Sequence, residues 1–334
     1  MSTYNVTTYS ALTSAVSSAS SGDTIYIGAS ITCTGRIKLS SSGITLTAKS
    51  GVTPVLDFSA LSSTTGDSGI GIYVTGSNNT ISGLIIQKAG DNGIKIEGAS
   101  NTVSNCIFRS NGDTGLQISK STAKNNTIKY CDSYLNCDTA TEGENADGFA
   151  CKLSAGTGNA FIGCRAWYNS DDGWDSYDMN NDVTYTDCIT WHNGDTAKTT
   201  YAGNGNGFKL GSSGDTGKRT MTRCIAWDTK YAGKKGFDGN NGVGVVKLTN
   251  CLSFDNVIGY QLDDSTSLTM TNCHEFGITS SDELPSGVSV TKITDTTEQA
   301  TIRSAVKTAC NKIMSNCEND TITGEITLDL DIWD

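Results

Sequence analysis

Asn79-Thr80-Ile81-Ser82-Gly83-Leu84-Ile85 returns 22 residues later as Asn101-Thr102-Val103-Ser104-Asn105-Cys106-Ile107. The same register continues at Asn126-Thr127-Ile128-Lys129-Tyr130-Cys131 and Asn159-Ala160-Phe161-Ile162-Gly163-Cys164, and later coils keep the cysteine at 188, 224, 251 and 273. Each repeat then reaches a glycine followed by an aromatic or aliphatic residue: Gly93-Ile94, Gly115-Leu116, Gly148-Phe149, Gly173-Trp174, Gly207-Phe208, Gly236-Phe237 and Gly259-Tyr260. A period of this size is the mark of a solenoid, in which one coil cannot bury its apolar face alone but a stack can. Short alternating bursts such as Ile94-Lys95-Ile96 and Leu116-Gln117-Ile118 read as strands. The expectation is an all-β right-handed parallel β-helix with two strand segments per coil.

Stacked strands lie about 4.7–4.9 Å apart, so equivalent residues form ladders along the long axis. Seven of the twelve cysteines (106, 131, 164, 188, 224, 251, 273) share one column. Their Cβ vectors run parallel, whereas a disulfide needs converging Cβ atoms about 3.8 Å apart, so they read as buried thiols. Asn79, Asn101, Asn126 and Asn159 form a second column, an amide ladder. Both ends carry cap signals. Leu12, Ala15, Val16 and Ala19 fall on one face of a short helix before the strand Thr24-Ile25-Tyr26-Ile27. After residue 280 the repeat fades into a second helix, about Glu298 to Cys317, and a strand-like tail around Ile322 to Trp333, covering the far end or packing along the side. No linker separates these parts, so residues 1–334 are expected to form one domain, with 1–30 as N-terminal cap, 31–280 as coils and 281–334 as C-terminal cap and tail.

The composition narrows the function. Thirty-five acidic residues against 24 basic give a net charge of −11, which disfavours nucleic acid, and no apolar run approaches the roughly 18–20 residues of a membrane helix. Gly is abundant (37) and Pro scarce (2), and His192 and His274 are the only histidines. Met1-Ser2-Thr3 leads directly into a polar stretch with no export signal, although the chemistry argued below would place the protein outside the cell or on its surface. A monomer is expected.

The repeat is broken in two places. From the cysteine column to the glycine column regular coils take nine residues (84 to 93, 106 to 115, 164 to 173), but two take 17 (131 to 148) and 19 (188 to 207). Insertions in a solenoid map to loops, often on the binding face. Alignment on the glycines puts Asp147, Asp172 and Asn206 in one ladder, just before the glycine. Two places after it the ladder reads Lys95, Gln117, Ala150, Asp175, Lys209, Asp238 and Gln261. With Asp171, four carboxylates converge on two coils, and Lys209 follows on the next. A solvated acidic stripe is the plain alternative. The position between two insertions favours a hard-cation site with oxygen ligands, for which calcium suits better than magnesium. Residues 142 to 195 hold ten acidic and two basic residues, whereas 209 to 235 hold seven basic (Lys209, Lys218, Arg219, Arg223, Lys230, Lys234, Lys235) and two acidic. A cation site beside a basic stretch would suit an anionic polymer.

Asn145-Ala146-Asp147-Gly148-Phe149-Ala150-Cys151-Lys152, Asn169-Ser170-Asp171-Asp172-Gly173-Trp174-Asp175 and Asn206-Gly207-Phe208-Lys209-Leu210-Gly211 together resemble polysaccharide lyase family 9, the pectate lyase L type. The resemblance covers roughly residues 70 to 275. It implies a calcium ion held by Asp147, Asp171, Asp172 and Asp175, with Lys209 as the Brønsted base. The expected reaction is β-elimination on polygalacturonate, giving 4,5-unsaturated oligogalacturonides. Asn206, Lys235 and Asp238, on the neighbouring coils, are the candidate substrate-binding residues. The chemistry asks for such a set. The C5 proton beside a uronate carboxylate is very weakly acidic, so the developing charge needs a cation and the proton needs a neutral base, which lysine can be and arginine practically cannot. Two alternatives stay open. A polygalacturonase-type hydrolase would use carboxylates without metal, but its His-Gly is absent and Arg36-Ile37-Lys38 precedes the acidic pair instead of following it. A non-catalytic carbohydrate-binding β-helix would leave the two insertions unexplained.

Overall fold

The computed structural model describes residues 1–333. Three parallel sheets wind around one axis: two of 11 strands and one of nine. The first runs from Thr3–Val6 to Ser265–Thr271, the second from Ile31–Thr32 to Thr291–Lys292, and the third from Ile37–Leu39 to Ile258–Gln261. Each regular coil therefore has three strands, not two. Thr80–Ser82 and Ile85–Gln87, a single segment in the sequence reading, belong to different sheets. The corner between them is one residue in the left-handed region: Gly83, Asn105, Tyr130, Gly163, Asp187, Arg223, Asn250 and Asn272 all have φ between 50° and 73°. A one-residue corner leaves no turn-rich stretch to announce it, and only Gly or Asn at some coils marks the conformation.

The registers reproduce the repeat. Thr80 pairs with Thr102, 22 residues on. All twelve cysteines are free thiols, and the seven of the column line the interior, where Cys106, for example, donates to Ser104 O at 3.4 Å. The asparagine column is a hydrogen-bonded ladder: Asn101 Nδ2 donates to Asn126 Oδ1 at 3.1 Å, and Asn126 Nδ2 to Asn159 Oδ1 at 3.0 Å. A second ladder, Asn111–Asn136–Asn169–Asn193, runs through the turns that enter the third sheet, with steps of 3.0, 2.8 and 3.0 Å. Behind the third sheet, Phe149, Trp174, Phe208, Phe237 and Tyr260 stack at centroid spacings of 4.8–5.1 Å. The glycine before each ring is required by space. A Cβ at Gly173 would meet Thr190 Oγ1 at 2.1 Å and Gly207 O at 2.6 Å.

Helix α1 (Tyr9–Ser18) is capped by Thr8 and buries Leu12, Ala15 and Val16. Helix α2 (Thr296–Glu318), capped by Asp295, packs along the side of the solenoid. Its Ile302, Val306, Cys310, Ile313 and Cys317 cover an outer aromatic row on the second sheet, Tyr134, Trp167, Trp191, Trp227, Phe254 and Phe276. The expected terminal strand is absent among the described residues: the tail is extended without ladder pairing and closes in a 3₁₀ turn at Asp331–Trp333. It runs along the axis, across the coils, so strands perpendicular to it cannot pair with it. Its carbonyls are taken by side chains of separate coils: Gly324 O by Arg165 (2.8 Å), Ile332 O by Asn272 (3.0 Å) and Trp333 O by Asn250 (3.2 Å). Among the described residues no helix is long and apolar enough to cross a membrane.

Candidate metal and catalytic site

Asp147, Asp171 and Asp172 arrive on consecutive turns into the third sheet, and one carboxylate oxygen of each lies within 4.8 Å of the others. All three are buried. Backbone N–H groups aim them. Asp171 Oδ2 accepts from Asn145 N (2.8 Å) in one insertion, and Oδ1 accepts from Asn204 N (2.7 Å) in the other, so a single carboxylate ties both insertions down. Asp172 Oδ1 accepts from Asn206 N at 2.7 Å, and Asp147 Oδ1 from Asp172 N at 3.3 Å. Asp147 Oδ2 accepts from Thr114 Oγ1 (3.1 Å) and Lys152 Nζ (2.8 Å).

Asp175 stands beside this trio and not within it. Its Oδ2 is held by Lys152 at 3.0 Å and its Oδ1 by Tyr177 N at 2.9 Å. On the next coil Lys209 is its register partner, with Nζ 3.9 Å from Asp175 Oδ1 and 3.4 Å from Asp172 Oδ2. The Tyr177 ring, half-exposed, lies 5.9 Å from the Lys209 ammonium.

The electrostatics are those of crowded, dry carboxylates. Burial, reinforced by the neighbouring carboxylates, pushes Asp147 and Asp172 well above the usual carboxylate range despite nearby ammonium groups. At Asp175 burial acts the same way but is outweighed by Lys152 and Lys209, which hold it below its ordinary value. Burial works to lower Lys209, yet Asp172, Asp175, Asp171 and Asp147 together raise it well above an ordinary lysine. Two buried oxygens, Asp172 Oδ2 and Asn206 Oδ1, receive no hydrogen bond among the described residues. The converging trio offers only oxygens, one of them, Asp172 Oδ2, accepting no hydrogen bond, and such a set fits a hard cation such as calcium.

Of the candidate substrate contacts, Asp238 is the register partner of Lys209 and links the other two: Asn206 Nδ2 donates to Asp238 Oδ2 (3.1 Å) and Lys235 Nζ to Asp238 Oδ1 (3.2 Å). The basic stretch does not form one patch. Arg219 is fully buried and donates to the carbonyls of Leu210, Asn181 and Met179, while Arg223 pairs with Asp187 at the corner where the tail crosses. Lys152 has no place in the ladder alignment because it lies four residues after its glycine, where Lys209 lies two after its own. Its signal was present nonetheless, since it is one of two bases among the ten acids of residues 142 to 195.

Three parallel sheets wound into one solenoid, with carboxylates and a lysine gathered on the third, define the class of the right-handed parallel β-helices. A family model described as "Pel9A-like, right handed beta helix region" matches residues 3–275, and the chain belongs to that family. Pectate lyase L of Dickeya dadantii (strain 3937) is 39% identical over 211 residues, which are 62% of this chain and 48% of the relative. Pectate lyase PEL9 of Emericella nidulans is 35% identical over 196 residues, 52% of this chain and 46% of the relative. The chain thus spans about half the length of the curated relatives it matches. Among solved structures, that of pectate lyase Pel9A superposes with a TM-score of 0.77 at 30% identity, covering 89% of this chain and 80% of the other. A rhamnogalacturonan lyase (TM-score 0.64, 24% identity, 74% and 69% coverage) shares the fold.

Proposed function

We propose that this protein is a calcium-dependent pectate lyase that cleaves polygalacturonate by β-elimination. The observation that carries this reading is Lys209, one coil from Asp175 and 3.4 Å from Asp172 Oδ2, an oxygen that accepts no hydrogen bond, at the edge of the carboxylate trio. Asp147, Asp171 and Asp172 would hold the ion, with Asp175 beside them. Calcium, when bound, supplies positive charge against the uronate carboxylate and the charge that develops next to it.

Lys209 removes the C5 proton. The C5–H electron pair becomes the C4–C5 double bond, the C4–oxygen bond breaks, and the departing oxygen takes a proton from water. Lys209 must be neutral to act, and four carboxylates hold its proton on. Sharing those carboxylates with a divalent cation weakens that hold. Burial, which disfavours the ammonium form, then meets less opposition. Asn206, Lys235 and Asp238 extend the polar surface by one and two coils and would orient the next sugar units. An acidic polysaccharide is the partner this implies, and it places the protein outside the cell or on its surface.

The test is incubation with polygalacturonate, with and without EDTA, following ultraviolet absorbance and reducing ends together. A lyase gives an absorbing, conjugated product that EDTA abolishes. Reducing ends without that absorbance would mean a hydrolase, and binding with neither a carbohydrate-binding module.

A further inference from the structure

Lys209 has a task in the chemistry proposed above, but a second buried lysine in the cage has none. Lys152 is 6% exposed, with Nζ 2.8 Å from Asp147 Oδ2 and 3.0 Å from Asp175 Oδ2. A buried lysine is rare and needs a reason. Holding the carboxylates in place is not a sufficient one. Asp171 is aimed by the neutral N–H groups of Asn145 and Asn204, and Asp172 by that of Asn206. Only Asp147 and Asp175 are joined by a full charge donated from Lys152.

The charge count supplies the reason. Asp147, Asp171, Asp172 and Asp175 are the buried carboxylates that act on Lys209, with Asp113 also beside Lys152 and Asp238 the register partner of Lys209. In the ion-free site, with both lysines protonated, these four carboxylates outnumber the ammonium groups by two, the charge of one divalent ion. Without Lys152 the excess would be three, the charge that a trivalent ion cancels.

We propose that Lys152 is a built-in counter-ion that sets the charge of the cage and with it the preference for a divalent over a trivalent cation. This rests on reading the carboxylates as a cation site. Repulsion from a fixed ammonium scales with the charge of the incoming ion, so it penalises a trivalent ion more than a divalent one. Removing it should tighten both, and the trivalent ion more. For charges about 6 Å apart at an effective dielectric near 20, the change in preference is on the order of tenfold to a hundredfold.

The experiment titrates the full, metal-stripped chain with calcium chloride and with terbium chloride in a calorimeter, for wild type, Lys152→Gln, Lys152→Met and Lys152→Arg. The terbium-to-calcium affinity ratio should rise tenfold or more in the Gln and Met variants and stay at the wild-type value in the Arg variant. An unchanged ratio in Gln and Met, or an equal rise in Arg, overturns the inference while leaving the cation site standing. Wild type that binds neither ion overturns the cation site and this inference with it. Circular dichroism melts accompany each titration. If Lys152→Met does not fold, the Gln–Arg pair decides, and if neither neutral variant folds the lysine is structural and the inference fails.

Discussion

Lys209 and Asp175 are direct register partners on adjacent coils of the third sheet, with Lys209 Nζ 3.9 Å from Asp175 Oδ1. The pairing keeps the lysine beside the carboxylates without making it one of the groups that would hold an ion. Lys209→Ala should therefore retain calcium binding, at unchanged or tighter affinity, while kcat on polygalacturonate falls by roughly 10²–10⁴-fold. Lys209→Arg should not rescue the rate, because guanidinium keeps its proton. Calorimetry and turnover on the same preparations separate the two effects, and an alanine variant with near-normal kcat would remove Lys209 from the mechanism.

Asp172 contributes a buried oxygen that accepts no hydrogen bond and has only the Lys209 ammonium, 3.4 Å away, beside it. Asp172→Asn should weaken calcium by more than the roughly 10–100-fold that loss of an outer-shell partner costs. In EDTA the same substitution should raise stability, since burial and the neighbouring carboxylates outweigh the pairing of the Asp172 carboxylate with Lys209. Calcium titration and thermal melts with and without EDTA check both signs.

Asp171 holds both insertions through Asn145 N and Asn204 N. Hydrogen bonds to a carboxylate contribute about 1.5–3 kcal/mol each, so Asp171→Ala should speed exchange of these two amides by roughly tenfold or more. Amides of the stacked core, such as Phe149 and Trp174, should keep their protection. Equal loss everywhere would mean that Asp171 supports the whole fold.

Glu275, buried on the second sheet, faces Asp282 and Lys292, and burial together with the Asp282 carboxylate pushes its pKa up to about 7. From the ordinary value of 4.5 upward the folded state then holds a proton that the unfolded state has released. Stability should fall as pH rises from 4.5 to about 7, by at most about 3 kcal/mol. Glu275→Gln should remove that segment of the stability–pH curve, and denaturant melts across this range test it.

Of the twelve cysteines Cys137 alone is partly exposed. A thiol reagent should therefore label one cysteine quickly in the native protein and all twelve after denaturation. Fewer than twelve in denaturant without reductant would reveal disulfides.

The solenoid was legible in the chain because a ladder fold writes its geometry as a period. Equivalent residues stack a strand spacing apart, so the cysteine, asparagine and glycine columns, and the neighbourhood of Asp147, Asp172, Asp175 and Lys209, follow from counting residues between repeats. The insertions at 131 to 148 and 188 to 207 were visible for the same reason. Features that obey no period needed the folded chain. The third strand of each coil depends on a single left-handed residue at the corner, a backbone angle that Tyr130 and Arg223 adopt as well as Gly83. The tail follows the axis and makes its hydrogen bonds to side chains, so strand-like composition did not make it a strand. Lys152 enters the cage through a side chain long enough to reach Asp147 and Asp175 from outside the aligned columns. Counting along a ladder locates Cα atoms, whereas the reach and direction of a long side chain, and the balance of charge it brings, exist only once neighbouring coils are packed against each other.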